Sequence, residues 1–130
     1  MFQATENGLE EVFTSGDDFE ALTAQYVPEY FNASNDNAVL DDRSGKRPRG
    51  GKRHRGTVDG KTYAFVALER TGGVMAYDVT DPEAITFVNY VNTRDFGTTV
   101  EGSEEYEDGE LDKWVTGGDV APEGLLFLDA

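Results

Sequence analysis

The sequence predicts an all-β fold carrying one short helix. The segments "KTYAFVALE", "VMAYDV" and "ITFVNYV" are rich in β-branched and aromatic residues and follow one another through the short turns "TGG" and "TDPEA", the signature of an antiparallel meander. The first of these sets Tyr63, Phe65 and Ala67 against Ala64, Val66 and Leu68, apolar on both faces, as in a strand packed on two sides. Helical spacing appears over a short run in which Phe19, Leu22, Thr23 and Tyr26 share one face.

Taken in chain order, residues 1–43 read as a strand, a short helix and a loop. "LEEVFT" supplies the strand, with Leu9, Val12 and Phe13 as its apolar members. Ser15 is the expected N-cap of a helix over residues 17–26, with Asp17 and Asp18 in the first turn, where negative charge suits the helix dipole. Pro28 ends it, and "FNASNDNAVLDDRSG" is loop by its Asn, Asp and Ser content. Residues 44–56 are an anomalous basic stretch, and residues 57–93 hold the three-stranded meander. Residues 94–118 form an acidic, Gly-bearing loop that includes "EGSEEYEDGELD". In residues 119–130 the apolar run "GLLFLDA" is a strand with no following sequence to pair with. A three-stranded meander with an orphan strand is marginal as a free-standing unit, so the chain reads as a slice of a larger β-architecture.

The chain has 130 residues, 38% of them hydrophobic, and a formal net charge of -15. Such an excess of like charge weakens the compact state at low salt and disfavours unaided binding to nucleic acid or anionic lipid. It fits a protein working in strong salt, where the screening length falls to about 3 Å near 1 M, and a halophilic source is the expectation. With no cysteine, disulfides and thiolate metal sites are excluded. "MFQATENGLEEVF" has neither the basic nor the apolar region of a signal peptide. No apolar run approaches the ~20 residues of a membrane span. As written, the chain reads as soluble and without an export signal.

The phrase "YAFVALERTGGVMAYDVTDPEAITFVNYVNTRDF" resembles the choice-of-anchor I family. These are β-propeller-like proteins, secreted or attached to the cell surface, that often carry the label alkaline phosphatase and are grouped with mesenchyme-specific cell-surface glycoproteins. "SGDDFEALTAQYVPEYFNASND" is similar to the segment before that blade, and "GGDVAPEGLLFL" to the step that starts the next one. The resemblance implies an incomplete β-propeller: about one four-stranded antiparallel blade plus the first strand of the next. It implies an extracellular or cell-surface location, and the missing blades of a longer parent protein as partners. It also places the first strand of the blade just before Thr57, where the basic stretch lies.

That stretch is out of character. Seven of the 11 Lys and Arg residues lie between Arg43 and Arg55, together with the only histidine, His54. The family carries an acidic Pro-Glu phrase here. "PRGGKRHRG" can be encoded so that reading one base later gives "PEAESATV", a Pro-Glu phrase leading into a strand. One reading is therefore a shifted reading frame within residues 44–56. A second is a solvated loop folded back on the acidic surface. A third is a nucleic-acid site over residues 43–55. Against the third, no aromatic residue is interleaved to stack on bases, so nucleic acid is not the expected partner.

No catalytic residue is assigned. There is no cysteine, His54 lies in the anomalous stretch, and neither a phosphate loop nor an H-E-x-x-H motif is present. Whether the chain is an enzyme stays open, the family label alone pointing to phosphatase chemistry. Asp119 and Glu123 in "GDVAPEG" are candidate metal ligands, Ca²⁺ being the cation that carboxylate oxygens suit. Glu69 and Arg70 in "LERTGG", with Arg94 and Asp95 in "NTRDF", are candidate binding residues. The plainer reading of these pairs is as structural ion pairs and turn caps. Asn32 opens an N-x-[ST] glycosylation sequon. The expected role is binding or scaffolding, with a remnant of a metal-dependent phosphoesterase and a small nucleic-acid binder as alternatives.

Overall fold

The computed structural model describes residues 1–31, 33, 49–97, 118 and 122–128. It is mostly β: a two-stranded hairpin, one short helix and one four-stranded antiparallel sheet. The hairpin is β1 (Phe2–Thr5) with β2 (Gly8–Glu11). The strand expected over residues 9–14 is thus shorter and earlier, and β1 is an addition. The two-residue connection Glu6-Asn7 explains both. Gly8, at φ 123, takes a backbone that a side chain would strain.

The helix α1 spans Asp18–Tyr26, and its N-cap is Asp17, not Ser15. Ser15 acts one turn earlier, its main-chain carbonyl accepting from the Asp18 N–H at 2.9 Å. Asp18 and Glu20 lie in the first turn, where carboxylates favour the dipole. Thr23 is fully buried, and its hydroxyl donates back to the Phe19 carbonyl, which lets a polar side chain face the core.

The sheet runs in chain order: β3 (Arg49–Val58), β4 (Lys61–Glu69), β5 (Val74–Asp78) and β6 (Thr86–Val91). The last three are the predicted meander. The fourth strand, β3, lies where the resemblance placed it, built from the basic residues themselves. Asp59 and Gly60 join it to β4 with φ 50 and 78, both positive, as a tight two-residue turn requires. From there the register is regular, Val58 opposite Lys61 through Arg53 opposite Val66. Beyond Arg53 the pairing shifts, so that Gly51 and Lys52 together oppose Ala67 as a β-bulge.

Alternation along β4 builds the core. Val66 and Leu68 join Met75, Tyr77 and Tyr90 in a buried cluster, against which Phe13, Phe19, Leu22 and Val27 pack. This is the helix face. The far face carries Tyr63 and Phe65, and residues 122–128 run across it, with Phe127 stacked on Phe65 at 5.6 Å between ring centres. Both faces of β4 are therefore covered. Residues 122–128 form no strand, in contrast to the strand expected over residues 119–130. They meet the sheet through the Phe127 side chain.

Candidate functional site

The polar residues of "LERTGG" and "NTRDF" meet at one end of the sheet. The chain leaves β4 at Glu69 and re-enters at Val74, a return so tight that Arg70, Gly72 and Gly73 all have positive φ. Gly73 is required by packing as well: a Cβ there would lie 2.6 Å from the Tyr90 ring and from the Val91 carbonyl. The loop is closed by the Gly72 N–H donating to Leu68 at 3.1 Å and the Leu68 N–H donating to Gly73 at 2.9 Å.

Side chains from the end of β6 then tie that loop down. The Tyr90 hydroxyl donates to the Gly72 carbonyl at 2.8 Å and accepts from the Asn92 amide at 2.8 Å. The same amide reaches the Thr71 carbonyl at 3.2 Å. Burial pushes the Tyr90 hydroxyl up to about 12, with the Asn92 bond and the Arg94 charge pulling the other way, so it stays a neutral donor. Arg94 is 6% exposed, and its guanidinium donates to the Arg70 carbonyl at 2.6 Å. It also lies 4.7 Å from the centre of the Phe96 ring, which stacks on Tyr30 at 4.4 Å. A cation held over an aromatic face is attracted by its quadrupole.

Of the predicted binding residues, the structure brings Arg70 and Arg94 into direct contact through the Arg70 main chain. Glu69 stands one residue before that contact, half-buried at the end of β4. Asp95 is exposed, and its carboxylate accepts from the Gly97 N–H at 2.8 Å, which turns the chain. The arrangement is a polar lock: a buried cation and a buried phenol held by carbonyls, joining two loops.

The lock depends on three residues that a search for charged groups passes over: Thr71, Tyr90 and Asn92. A signal for one was present. Asn92 stands two residues before Arg94, and its side-chain Oδ1 accepts the Arg94 N–H at 3.0 Å. Asp78 with Thr80, Asp81 with Glu83 and Asp95 with Gly97 make the same two-residue bond. These Asx turns are how short polar side chains turn a chain.

Of the candidate metal ligands, Glu123 is exposed and Asp119 lies outside the described residues. Asn32 lies outside them as well. Among the described residues, no three His, Cys, Asp or Glu side chains are placed to share a metal ion. Among the described residues, clefts lie on both faces of the sheet. One of about 400 Å³ lies between the hairpin and the helix face, lined among others by Phe13, Phe19, Val66, Tyr77 and Arg53. Another, of about 230 Å³, lies on the far face between His54, Phe65, Val74 and residues 125–127.

Neither a curated protein nor a solved structure matches the chain. The family model described as Choice-of-anchor I domain matches residues 1–82, a span holding the hairpin, the helix and the sheet as far as the turn after β5. With well over half its length in that match, the chain belongs to the choice-of-anchor I family.

Proposed function

We propose that this chain is part of a longer, surface-displayed propeller-like protein, in which its sheet serves as a blade with a binding or scaffolding role. The observation that carries the reading is the sheet itself: four antiparallel strands in chain order, with apolar side chains on both faces of β4. A blade is such a unit, because each of its faces packs against a neighbouring blade. Family membership supports a place at or outside the cell surface. Among the described residues, no helix is long and apolar enough to cross a membrane.

The far face is where a neighbouring blade would sit. It is only partly covered here, and Leu126, Leu128 and Val91 remain more than half exposed. Sedimentation velocity over a range of concentrations tests this. The chain alone is expected to self-associate, and Leu126→Lys with Val91→Lys to shift it toward monomer. A chain that stays monomeric throughout would contradict the blade reading. A metal-dependent phosphoesterase finds no favouring geometry in the described residues. Release of phosphate from a generic ester is expected to be nil with or without Ca²⁺.

A further inference from the structure

We propose that the outer edge of β3 docks a short acidic peptide segment as an added strand. The inference goes beyond the blade reading and uses a different surface. β3 is an edge strand of the sheet: β4 pairs it on one side, and among the described residues no strand pairs it on the other. An edge strand presents alternate main-chain N–H and C=O groups outward, ready to pair with an extended chain. The regular register from Arg53 to Val58 is the usable length, since the bulge at Gly51 and Lys52 breaks the ladder beyond it.

Charge decides which strand is accepted. Arg53 and Arg55 are exposed. Two residues apart, they point to the same face of the sheet, the face of Val66 and Ala64 opposite them. A strand laid against β3 would set its own alternate side chains about 5 Å from these two arginines. Like charges directly opposite repel, so the arginines guard the edge against basic strands. Carboxylates at alternate positions reverse the sign and match the two-residue spacing. Removing the seven cations of residues 43–55 from the net charge of -15 leaves -22 on the remainder. A nucleic acid would run past the edge onto that acidic surface and be repelled, whereas a short peptide meets the cationic edge alone.

The test is a fluorescence-anisotropy titration with a labelled peptide of about ten residues, alternating Glu with Thr or Val. Saturable binding is expected at about 0.15 M salt, where a screening length of about 8 Å confines the peptide to the charges of the edge, and its loss near 1 M, where that length is about 3 Å. The same peptide with alternate amides N-methylated keeps its charge but loses the ladder, and is expected to bind at least about tenfold more weakly. A peptide with Lys in place of Glu is drawn to the acidic remainder instead, and its binding is expected not to weaken when Arg53 and Arg55 are replaced by Glu. Arg53→Glu with Arg55→Glu, both at exposed positions, is expected to weaken the acidic peptide about tenfold with an unchanged far-ultraviolet spectrum. Equal binding of the N-methylated peptide would reduce the edge to a charge patch and overturn the proposal. So would a single-stranded DNA of equal charge binding as tightly, or no binding at about 0.15 M salt. None of these outcomes bears on self-association through the far face.

Discussion

β3 and β4 lie side by side in one ladder and are built on opposite principles. β4 carries its own reason to be a strand: Val66, Ala67 and Leu68 are all buried, and its alternate residues reach the core on one face and Phe127 on the other. β3 carries little of that. From Arg49 to Arg55 it has three basic residues besides Lys52, a histidine, two glycines and no apolar side chain. What makes it a strand comes from its neighbours: the Asp59-Gly60 turn and the register that β4 imposes. The difference teaches that a sheet's stability and a sheet's edge can be specified by different parts of the chain. The first follows from burial and the second from turn geometry and pairing.

The largest effect should therefore appear in β4. Leu68→Ala, at a fully buried position, is expected to cost about 3 kcal/mol in urea unfolding. Arg55→Ala, exposed on β3, is expected to change stability by no more than about 0.5 kcal/mol. Similar costs at the two sites would break the comparison. Gly56 is the exception that sharpens it, because among the described side-chain positions of β3 it is the buried one. A Cβ there would lie 2.5 Å from the Phe127 ring, so Gly56→Ala is expected to cost about 1–2 kcal/mol. In a Phe127→Ala background most of that cost should vanish.

A smaller effect bears on the reading frame. The shifted phrase puts alanine where Arg53 stands and valine where Arg55 stands, on the helix face beside Val66 and Ala64. Arg53→Ala with Arg55→Val is therefore expected to stabilise the sheet by about 0.5 kcal/mol. A destabilised double variant would show that the arginines suit this strand as they are.

The smallest effect lies at the β4–β5 end. The Thr80 hydroxyl and N–H, and then the Lys61 ammonium at 3.0 Å, hold the Asp78 carboxyl at about 2, below its usual 3.8. A depressed carboxyl contributes stability that is full above the unfolded value and is lost as pH falls through the folded one. The window for this group is thus from about pH 4 down to about pH 2. Lys61 is raised by the same partner, and its share fades only as pH rises past the usual lysine value. In Lys61→Met the acid loss should be smaller and be complete slightly nearer pH 4, read as the thermal midpoint against pH. An unchanged curve would leave Thr80 as the whole cause.

These contrasts track what the sequence could disclose. β4, β5 and β6 were legible because alternation and Gly/Asp turns are local signals. The helix was legible from the spacing of Phe19, Leu22 and Tyr26, but its cap was not. Ser15 and Asp17 are both good cap residues, and tertiary placement chose between them. The position of β3 was legible only through the family resemblance, since its residues read as a charge run. Within the polar lock, Arg70 and Arg94 stood out as charges. Tyr90 and Asn92 did not, because their partners are main-chain carbonyls across the sheet end, and main-chain geometry leaves no mark in residue type. β1 was missed because four residues give too short a period to read.

The four-stranded sheet and its cationic edge both require β3 to be a paired strand, and hydrogen exchange at residues 53–58 tests that most directly. Amide protection should appear at alternate positions of 53–58, those bonded to β4, at a level within reach of residues 61–69. If residues 53–58 exchange as fast as an unstructured chain while residues 61–91 stay protected, β3 is no part of the sheet. The four-stranded blade and its cationic edge would fall together.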